Sequence, residues 1–519
     1  MTPRNTPLPL SAAQILVVGA GIMGAGIAQV AAQAGHPVLL HDAREGAAAD
    51  AKTKLAKDLG VLAAKGKRTA EEVAQTLARI TPVDSLVEAA QVRLVVEAII
   101  EKLDAKRALL RELEGIVAVD CVLATNTSSI SVTAIANGLE RPGRLVGMHF
   151  FNPVPLMRLV EVVSGLQTDP AVAEAVLELS MAWGKVPVHA KSTPGFIVNR
   201  IARPFYAEAL GLLQERAASP EALDACLRAA GFRMGPCELM DLIGHDTNFS
   251  VTQSVFDANF YDKRFVPSLV QRELVDAGLL GRKSGRGFYV YPNDGAALSV
   301  TVHDAPQKVG AVIVHGRGPI ADWLAMAVSG ALTPMGLGVA CEVGSKWIGL
   351  QIDAARLVLS DGRCAAQMAA DTGCRDLAVF DRPMRLPLPP DAALAYALAQ
   401  GASEVWRVQA AAWLAALGVT PLPLADAPGL VVARTVAMLI NEAADAVQQG
   451  VCTIDGADAA MKLGVNYPAG PFEWLARWSA SEVIALLDTL DVHYRGERYR
   501  VSSWLRRRAW QDATQGVAR

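Results

Sequence analysis

Residues 15–24 read Ile-Leu-Val-Val-Gly-Ala-Gly-Ile-Met-Gly, and the stretch that follows, AGIAQVAAQAG (25–35), is rich in alanine. An apolar run, three glycines spaced G-x-G-x-x-G and a helix-forming segment describe a strand, a tight turn and a helix. Gly19 and Gly21 let backbone N–H groups approach a pyrophosphate at the helix N-terminus, and Gly24 lets the helix pack closely on the sheet. The glycine spacing alone is a weak signal. Here the next strand, PVLLHD (37–42), ends in Asp42, a carboxylate placed to accept a hydrogen bond from the adenosine ribose and to repel a 2′-phosphate. Gly19, Gly21, Ile22, Met23, Gly24 and Asp42 therefore predict a dinucleotide site that takes NAD rather than NADP.

Outward from this turn, short apolar runs (RLVVEA, VLAT, RLVGMHF) alternate with alanine-rich helical stretches to about Gly165. That rhythm predicts a parallel, doubly wound α/β sheet of the Rossmann type. Past Ser192-Thr193-Pro194-Gly195 the apolar positions fall at helical spacing, as in FIVNRIARPFYAEALGLL, which predicts an all-α domain. This helical unit is repeated. PGFIVNRIARPFYAEAL (194–210) resembles PGLVVARTVAMLINEAA (428–444), and GFRMGPCELMDLIG (231–244) is answered by GVNYPAGPFEWLARW (464–478), with the flanking Pro-Gly and Gly-Pro pairs kept nearly in register. Between the copies, VGAVIVHG, LVLSDG and DLAVFD predict strands of a reduced Rossmann-like α/β unit without a complete phosphate loop. The expected domains are 1–190 (NAD-binding), 191–295 (helical), 296–425 (reduced α/β) and 426–519 (second helical copy).

Composition narrows the partners. The 519 residues include 49 basic and 52 acidic side chains, interspersed to a net charge of -3, so no block offers the dense positive surface that nucleic acid or an anionic membrane requires. The seven cysteines stand singly, with no C-x-x-C pair or His cluster at ligand spacing, which predicts free thiols, no metal and a cytoplasmic setting. No apolar segment precedes Ile15 in the manner of a signal peptide. The apolar stretch 320–340 carries Asp322 and is broken by Gly330, Pro334, Gly336 and Gly338; it reads as buried helix and turn rather than a membrane span.

Removing hydride from a carbinol carbon requires a base for the hydroxyl proton, and histidine suits that task near neutral pH. In RLVGMHFFNPVPLMRLVEVV, His149 ends one strand, Pro153 and Pro155 mark a turn, and Glu161 lies in a second apolar strand on the face of Leu159 and Val163. A carboxylate there needs a cationic partner. If the turn folds the second strand back along the first, His149 supplies it, and Glu161 holds the ring and stabilises the imidazolium.

The chain closely resembles the 3-hydroxyacyl-CoA dehydrogenase family through GAGIMGAGIA, VVEAIIEKLDAK, ATNTSSISVTAIA, GMHFFNPVPLMRLVEVV, TPGFIVNR and GRKSGRGFYVY, in the family's order from about residue 15 to 291. The resemblance implies that His149 and Glu161 are the catalytic pair, with Ser128 and Asn199 contacting substrate near its hydroxyl and thioester. It implies NAD contacts at Glu101, Lys106, Ser128, Asn152 and Lys283, and a CoA contact at Lys65. Asp58 departs from the family, standing where a small hydroxyl residue would face CoA. Ala433 occupies the position equivalent to Asn199, so one active site per chain is expected, with the later copy structural. In shorter members the helical domain makes the dimer contact; a homo-oligomer, most simply a dimer, is therefore implied. The four-part plan is similar to long bacterial members of phenylacetate degradation, which implies 3-hydroxyadipyl-CoA as substrate; 3-hydroxybutyryl-CoA and broader chain use stay open. Arg158, Arg203 and Arg233 are all conceivable partners for a distal carboxylate.

Three competing readings can be told apart. A catalytically silent NAD- or CoA-binding subunit would not need the full set of Ser128, His149, Glu161 and Asn199. A dehydrogenase of free β-hydroxy acids would use a lysine, for which Lys191 is the nearest candidate, in place of the HFFNP block. A fused hydratase-dehydrogenase would carry a hydratase domain ahead of Ile15.

Overall fold

The computed structural model describes residues 10–292, 304–514 and 516. They form two compact units: the residues up to Arg200 together with Gln449–Val465, and Ile201–Gln448 together with the residues from Asn466 onward.

The first unit is built on an eight-stranded sheet. Its strands are β1 (Ile15–Val18), β2 (Val38–His41), β3 (Ile80–Pro82), β4 (Leu94–Glu97), β5 (Val122–Thr125), β6 (Leu145–Phe150), β7 (Leu159–Ser164) and β8 (Val186–Lys191), in spatial order β3-β2-β1-β4-β5-β6-β7-β8. Strands β1 to β6 are parallel, and most of their residues are buried on both faces, which is why they read as continuous apolar runs. The sheet reverses at β7, which pairs antiparallel with β6, while β8 pairs parallel with β7. The segment joining β6 to β7 is too short for the crossover that a parallel partner needs. It folds back and places His149 directly opposite Glu161. Packing explains the glycines of the first turn. Gly19 has φ +104°, and a Cβ on Gly24 would lie 1.7 Å from the Gly19 carbonyl oxygen.

Residues 449–465, which belong by sequence to the second helical copy, pack in this unit. The N–H of Lys191 donates to the Val451 carbonyl at 2.9 Å, and the helix Ile454–Gly464 lies against β7 and β8.

The second unit holds the two helical copies and a seven-stranded mixed sheet of β9 (Val312–His315), β10 (Ala340–Glu342), β11 (Gly349–Ile352), β12 (Ala355–Leu359), β13 (Leu377–Phe380), β14 (Ala392–Leu398) and β15 (Val419–Pro423). Its order is β10-β9-β11-β12-β13-β14-β15. The three stretches read as strands fall on β9, β12 and β13. The apolar stretch after Ile320 forms the helix Pro319–Leu332, which buries Ile320, Trp323, Leu324, Val328 and Leu332 in the core of this sheet. Among the described residues no helix is long and apolar enough to cross a membrane.

The repeat has a structural counterpart here. Helix Arg203–Gln214 of the first copy packs on helix Val432–Gln448 of the second. Glu208 pairs with Arg498 at 3.0 Å and with Arg434 at 2.8 Å, and Glu442 pairs with Arg264 at 3.2 Å. Glu208 and Glu442 are corresponding residues of the repeat, while Arg264 belongs to the first copy and Arg498 to the second. Each copy thus gives a glutamate to the other's arginine, the reciprocity of an isologous interface made within one chain. Glu208 is fully buried; burial would raise its pKa, but Arg498 and Arg434 hold it below the ordinary carboxylate value.

Candidate active site

At the glycine turn, the N–H of Ala20 donates to Asp42 Oδ2 at 2.7 Å, and the N–H of Arg44 donates to Oδ1 at 3.0 Å. The carboxylate is thereby fixed at the rim of the turn. The place where a Gly21 side chain would stand is open, with nothing within 4 Å, and Ile22 is 72% exposed at the start of the helix. Met23 packs against the core beneath. An open backbone turn with an anchored acid beside it fits an adenine dinucleotide with a free ribose hydroxyl.

Deeper along the carboxyl ends of β4 and β5 lies a polar cluster. Lys106 Nζ pairs with Glu97 Oε1 at 2.7 Å and Glu101 Oε2 at 3.2 Å. Glu97 is fully buried and accepts from Thr125 Oγ1 at 2.6 Å with its other oxygen. Glu101 Oε1 accepts from Thr127 Oγ1 at 2.7 Å and from the N–H groups of Ser128 and Ser129 at 2.9 and 3.0 Å. Burial would raise the pKa of Glu101, but Lys106 and these hydrogen bonds hold it below the usual value. Lys106, which the resemblance makes an NAD residue, is buried with only 1% of its surface exposed and is engaged by two carboxylates. Its evident work is to hold Glu101, which pins the Asn-Thr-Ser-Ser loop. Glu97 went unread in the sequence; a carboxylate closing an apolar strand was its signal.

His149 Nδ1 and Glu161 Oε2 lie 2.6 Å apart, with the ring 5% exposed and the carboxylate fully buried. The other oxygen of Glu161 accepts from the N–H groups of Ile197 at 3.1 Å and Val198 at 2.9 Å. Those N–H groups become available because Phe196 turns the chain at φ 47° directly after Pro194-Gly195. The rings of Phe151 and Phe196 lie 4.6 and 5.8 Å from that of His149. Asn126 Oδ1 accepts from the N–H of Phe150 at 2.8 Å and so fixes the end of β6. None of these three supports was read from the sequence. With Nδ1 directed to the carboxylate, Nε2 is the nitrogen able to take a proton.

The structure brings Ser128 and Asn199 together: Asn199 Nδ2 donates to the Ser128 carbonyl at 3.3 Å, and Ser128 Oγ lies 3.3 Å from Glu101 Oε1. Asn152 is exposed in the β6–β7 turn. Lys65 ends the helix Ala47–Ala64 and is exposed, as is Asp58 on the same helix. Lys283 lies in the second unit, where it pairs with Asp246 at 2.7 Å.

Family models match most of the chain. The NAD-binding domain of 3-hydroxyacyl-CoA dehydrogenase matches residues 14–193, its C-terminal domain matches both 195–291 and 429–515, and the reduced Rossmann-fold domain of 3-hydroxybutyryl-CoA dehydrogenase matches 357–428. A 3-hydroxyadipyl-CoA dehydrogenase of Escherichia coli (strain K12) is 44% identical over 497 residues, covering 95% of this chain and 97% of that protein. The chain belongs to the 3-hydroxyacyl-CoA dehydrogenase family. It is an NAD-dependent 3-hydroxyacyl-CoA dehydrogenase. A crystal structure described as 3-hydroxybutyryl-CoA dehydrogenase from Escherichia coli K12 superimposes with a TM-score of 0.87 at 41% identity, covering 97% of this chain and 99% of the other. A probable 3-hydroxybutyryl-CoA dehydrogenase of Deinococcus radiodurans is 44% identical but matches only 53% of this chain with 99% of its own length. The dehydrogenase core is thus shared with shorter family members, while the four-part plan is shared with the long relatives.

Proposed function

We propose that this dehydrogenase oxidises 3-hydroxyadipyl-CoA to 3-oxoadipyl-CoA in phenylacetate breakdown, acting in the cytoplasm as a homodimer on the L alcohol. In this reading His149 is the general base and Glu161 its orienting partner. The 2.6 Å contact between His149 Nδ1 and a fully buried Glu161 carries the chemical part. NAD supplies the hydride acceptor when bound, held by Gly19, Gly21, Ile22, Met23, Gly24 and Asp42, with Glu101, Lys106, Asn152 and Lys283 as further NAD residues by resemblance to the family. His149 Nε2 takes the hydroxyl proton, and the carboxylate 2.6 Å from Nδ1 stabilises the imidazolium. Asn199 and Ser128 orient the substrate near its thioester and hydroxyl, and Lys65 meets the CoA portion.

The adipyl assignment rests on similarity along nearly the whole chain to the protein named for that substrate. The butyryl description of the Escherichia coli crystal structure favours a second reading, with a short neutral acyl chain. Of the three arginines considered for a distal carboxylate, Arg203 is buried and donates to Thr252 Oγ1, whereas Arg158 and Arg233 are exposed. The highly exposed Phe260, Tyr261 and Leu269 support association between copies.

The deciding experiment follows NADH formation with L-3-hydroxyadipyl-CoA and L-3-hydroxybutyryl-CoA in wild type, R158A and R233A. A higher kcat/KM for the adipyl thioester, reduced selectively by one arginine variant, is expected. Preference for the butyryl thioester would overturn the substrate assignment and leave the chemistry intact.

A further inference from the structure

The second helical copy lacks an asparagine equivalent to Asn199, yet its residues 449–465 pack in the unit that contains His149 and Glu161. Gln449 Oε1 accepts from Arg200 Nη1 at 2.7 Å, one residue past Asn199. The Val451 carbonyl takes the N–H of Lys191 at the end of β8. The helix Ile454–Gly464 then meets the sheet through its two glycines. A Cβ on Gly456 would stand 2.9 Å from Val188 Cγ1; one on Gly464 would stand 2.7 Å from Leu159 Cδ2, 3.0 Å from Val198 Cγ2 and 3.7 Å from Phe151 Cε1.

Every neighbour of Gly464 is one step from the His149–Glu161 pair. Leu159 shares a face of β7 with Glu161. The N–H of Val198 donates to Glu161 Oε1, and Phe151 lies against the His149 ring. The same segment brings Cys452 near enough that, after burial, the charge of Glu161 contributes to raising its thiol pKa to about 12. A methyl at position 464 would push first on Leu159 Cδ2 and then, by a few tenths of an ångström, on Val198 Cγ2, with Phe151 Cε1 at ordinary contact distance behind them. The interior around these groups is close-packed, so the displacement passes to the atoms they support.

We infer that residues 449–465 of the second copy are part of the catalytic apparatus, with Gly464 a positioning residue that sets the seat of Glu161 and the turn leading to Asn199. The inference rests on His149 and Glu161 being the working pair. It assigns the repeat a task in the reaction that a purely structural copy would not have.

Gly464→Ala tests it in the full-length enzyme, because alanine favours helix over glycine and the helix itself should not be weakened. Small misplacements of reacting groups are costly, so kcat should fall by about tenfold while the Kd for NAD stays within about twofold and Tm is held. The acid limb of the kcat/KM pH profile should shift as well. Leu159→Val in the Gly464→Ala background should restore at least about a third of the lost kcat by vacating the space that the new methyl needs. Gly330→Ala, at a helix position where a Cβ meets nothing, should leave kcat unchanged. Wild-type kcat and an unshifted acid limb in Gly464→Ala would overturn the inference, as would a loss of kcat that merely follows a fall in Tm. His149→Ala separates the two ideas: if it retains turnover, the catalytic pair itself is misassigned.

Discussion

Glu161 and Asp381 do the same mechanical work in the two halves of the molecule, and only one of them does more. After Pro194-Gly195, Phe196 bends the chain at φ 47° and Glu161 accepts the N–H groups of Ile197 and Val198. After Pro428-Gly429, Leu430 bends at the same φ 47°, and Asp381 accepts from Val431, Val432 and Ala433 at 2.9, 2.7 and 3.0 Å. A buried acid in or just past an inner strand tethers the start of a helix in both places. In the first, one oxygen remains for His149; in the second, both oxygens accept from main-chain N–H groups. Tethering therefore needs only a carboxyl group. In the proposed mechanism catalysis is added to it through the oxygen left over.

The comparison can be broken in stages. His149→Ala removes the base and should lower kcat by on the order of 10² to 10⁴ with NAD affinity nearly unchanged, measured by steady-state NADH formation and NAD titration. Full turnover in that variant would sink the catalytic assignment. Glu161→Gln keeps a carbonyl oxygen for the two N–H groups but loses the charge facing His149; kcat should fall by on the order of 10², with Tm close to wild type. A large loss of Tm instead would mean that the tether needs the charge. Asp381→Ala should reverse the pattern: kcat within about twofold, and stability lower by about 1–3 kcal/mol from the orphaned N–H groups, read by urea unfolding.

The smallest effect is one of pH. Burial raises the pKa of Asp381, and the surrounding N–H groups offset only part of that shift. A folded-state pKa above the unfolded value of about 4 means the folded protein keeps a proton that the unfolded chain has already lost, so this group's stabilisation is greatest at low pH and lost as pH rises. The stability gap between wild type and Asp381→Ala should narrow as pH rises above the unfolded value of about 4. A gap that widens would show the carboxylate to be ionised in the folded state.

What could be read in advance follows from the range of each signal. The glycine turn, Asp42 and the strand-turn-strand holding His149 and Glu161 are local patterns, so chemistry and period revealed them. The reversal at β7 was foreshadowed only as a condition on the turn. The burial of Lys106 depends on Glu97, and a lone carboxylate closing an apolar strand does not name its partner. The Gly464 contacts and the Gln449–Arg200 bond join residues far apart in sequence and leave no periodic trace. Three strands of the second sheet were visible because they are apolar runs; β10, by contrast, is fully exposed and carries no such mark.

The reciprocal glutamate–arginine exchange between the two helical copies has one last consequence. Because both partners are carried on one polypeptide, dilution does not part them in the way it parts separate subunits. A substitution also falls on one side of the pairing only, whereas in a symmetric pair of identical chains it would fall on both. That freedom lets one copy keep asparagine at 199 while the other holds alanine at 433, and the two halves can drift into different occupations without ceasing to fit each other.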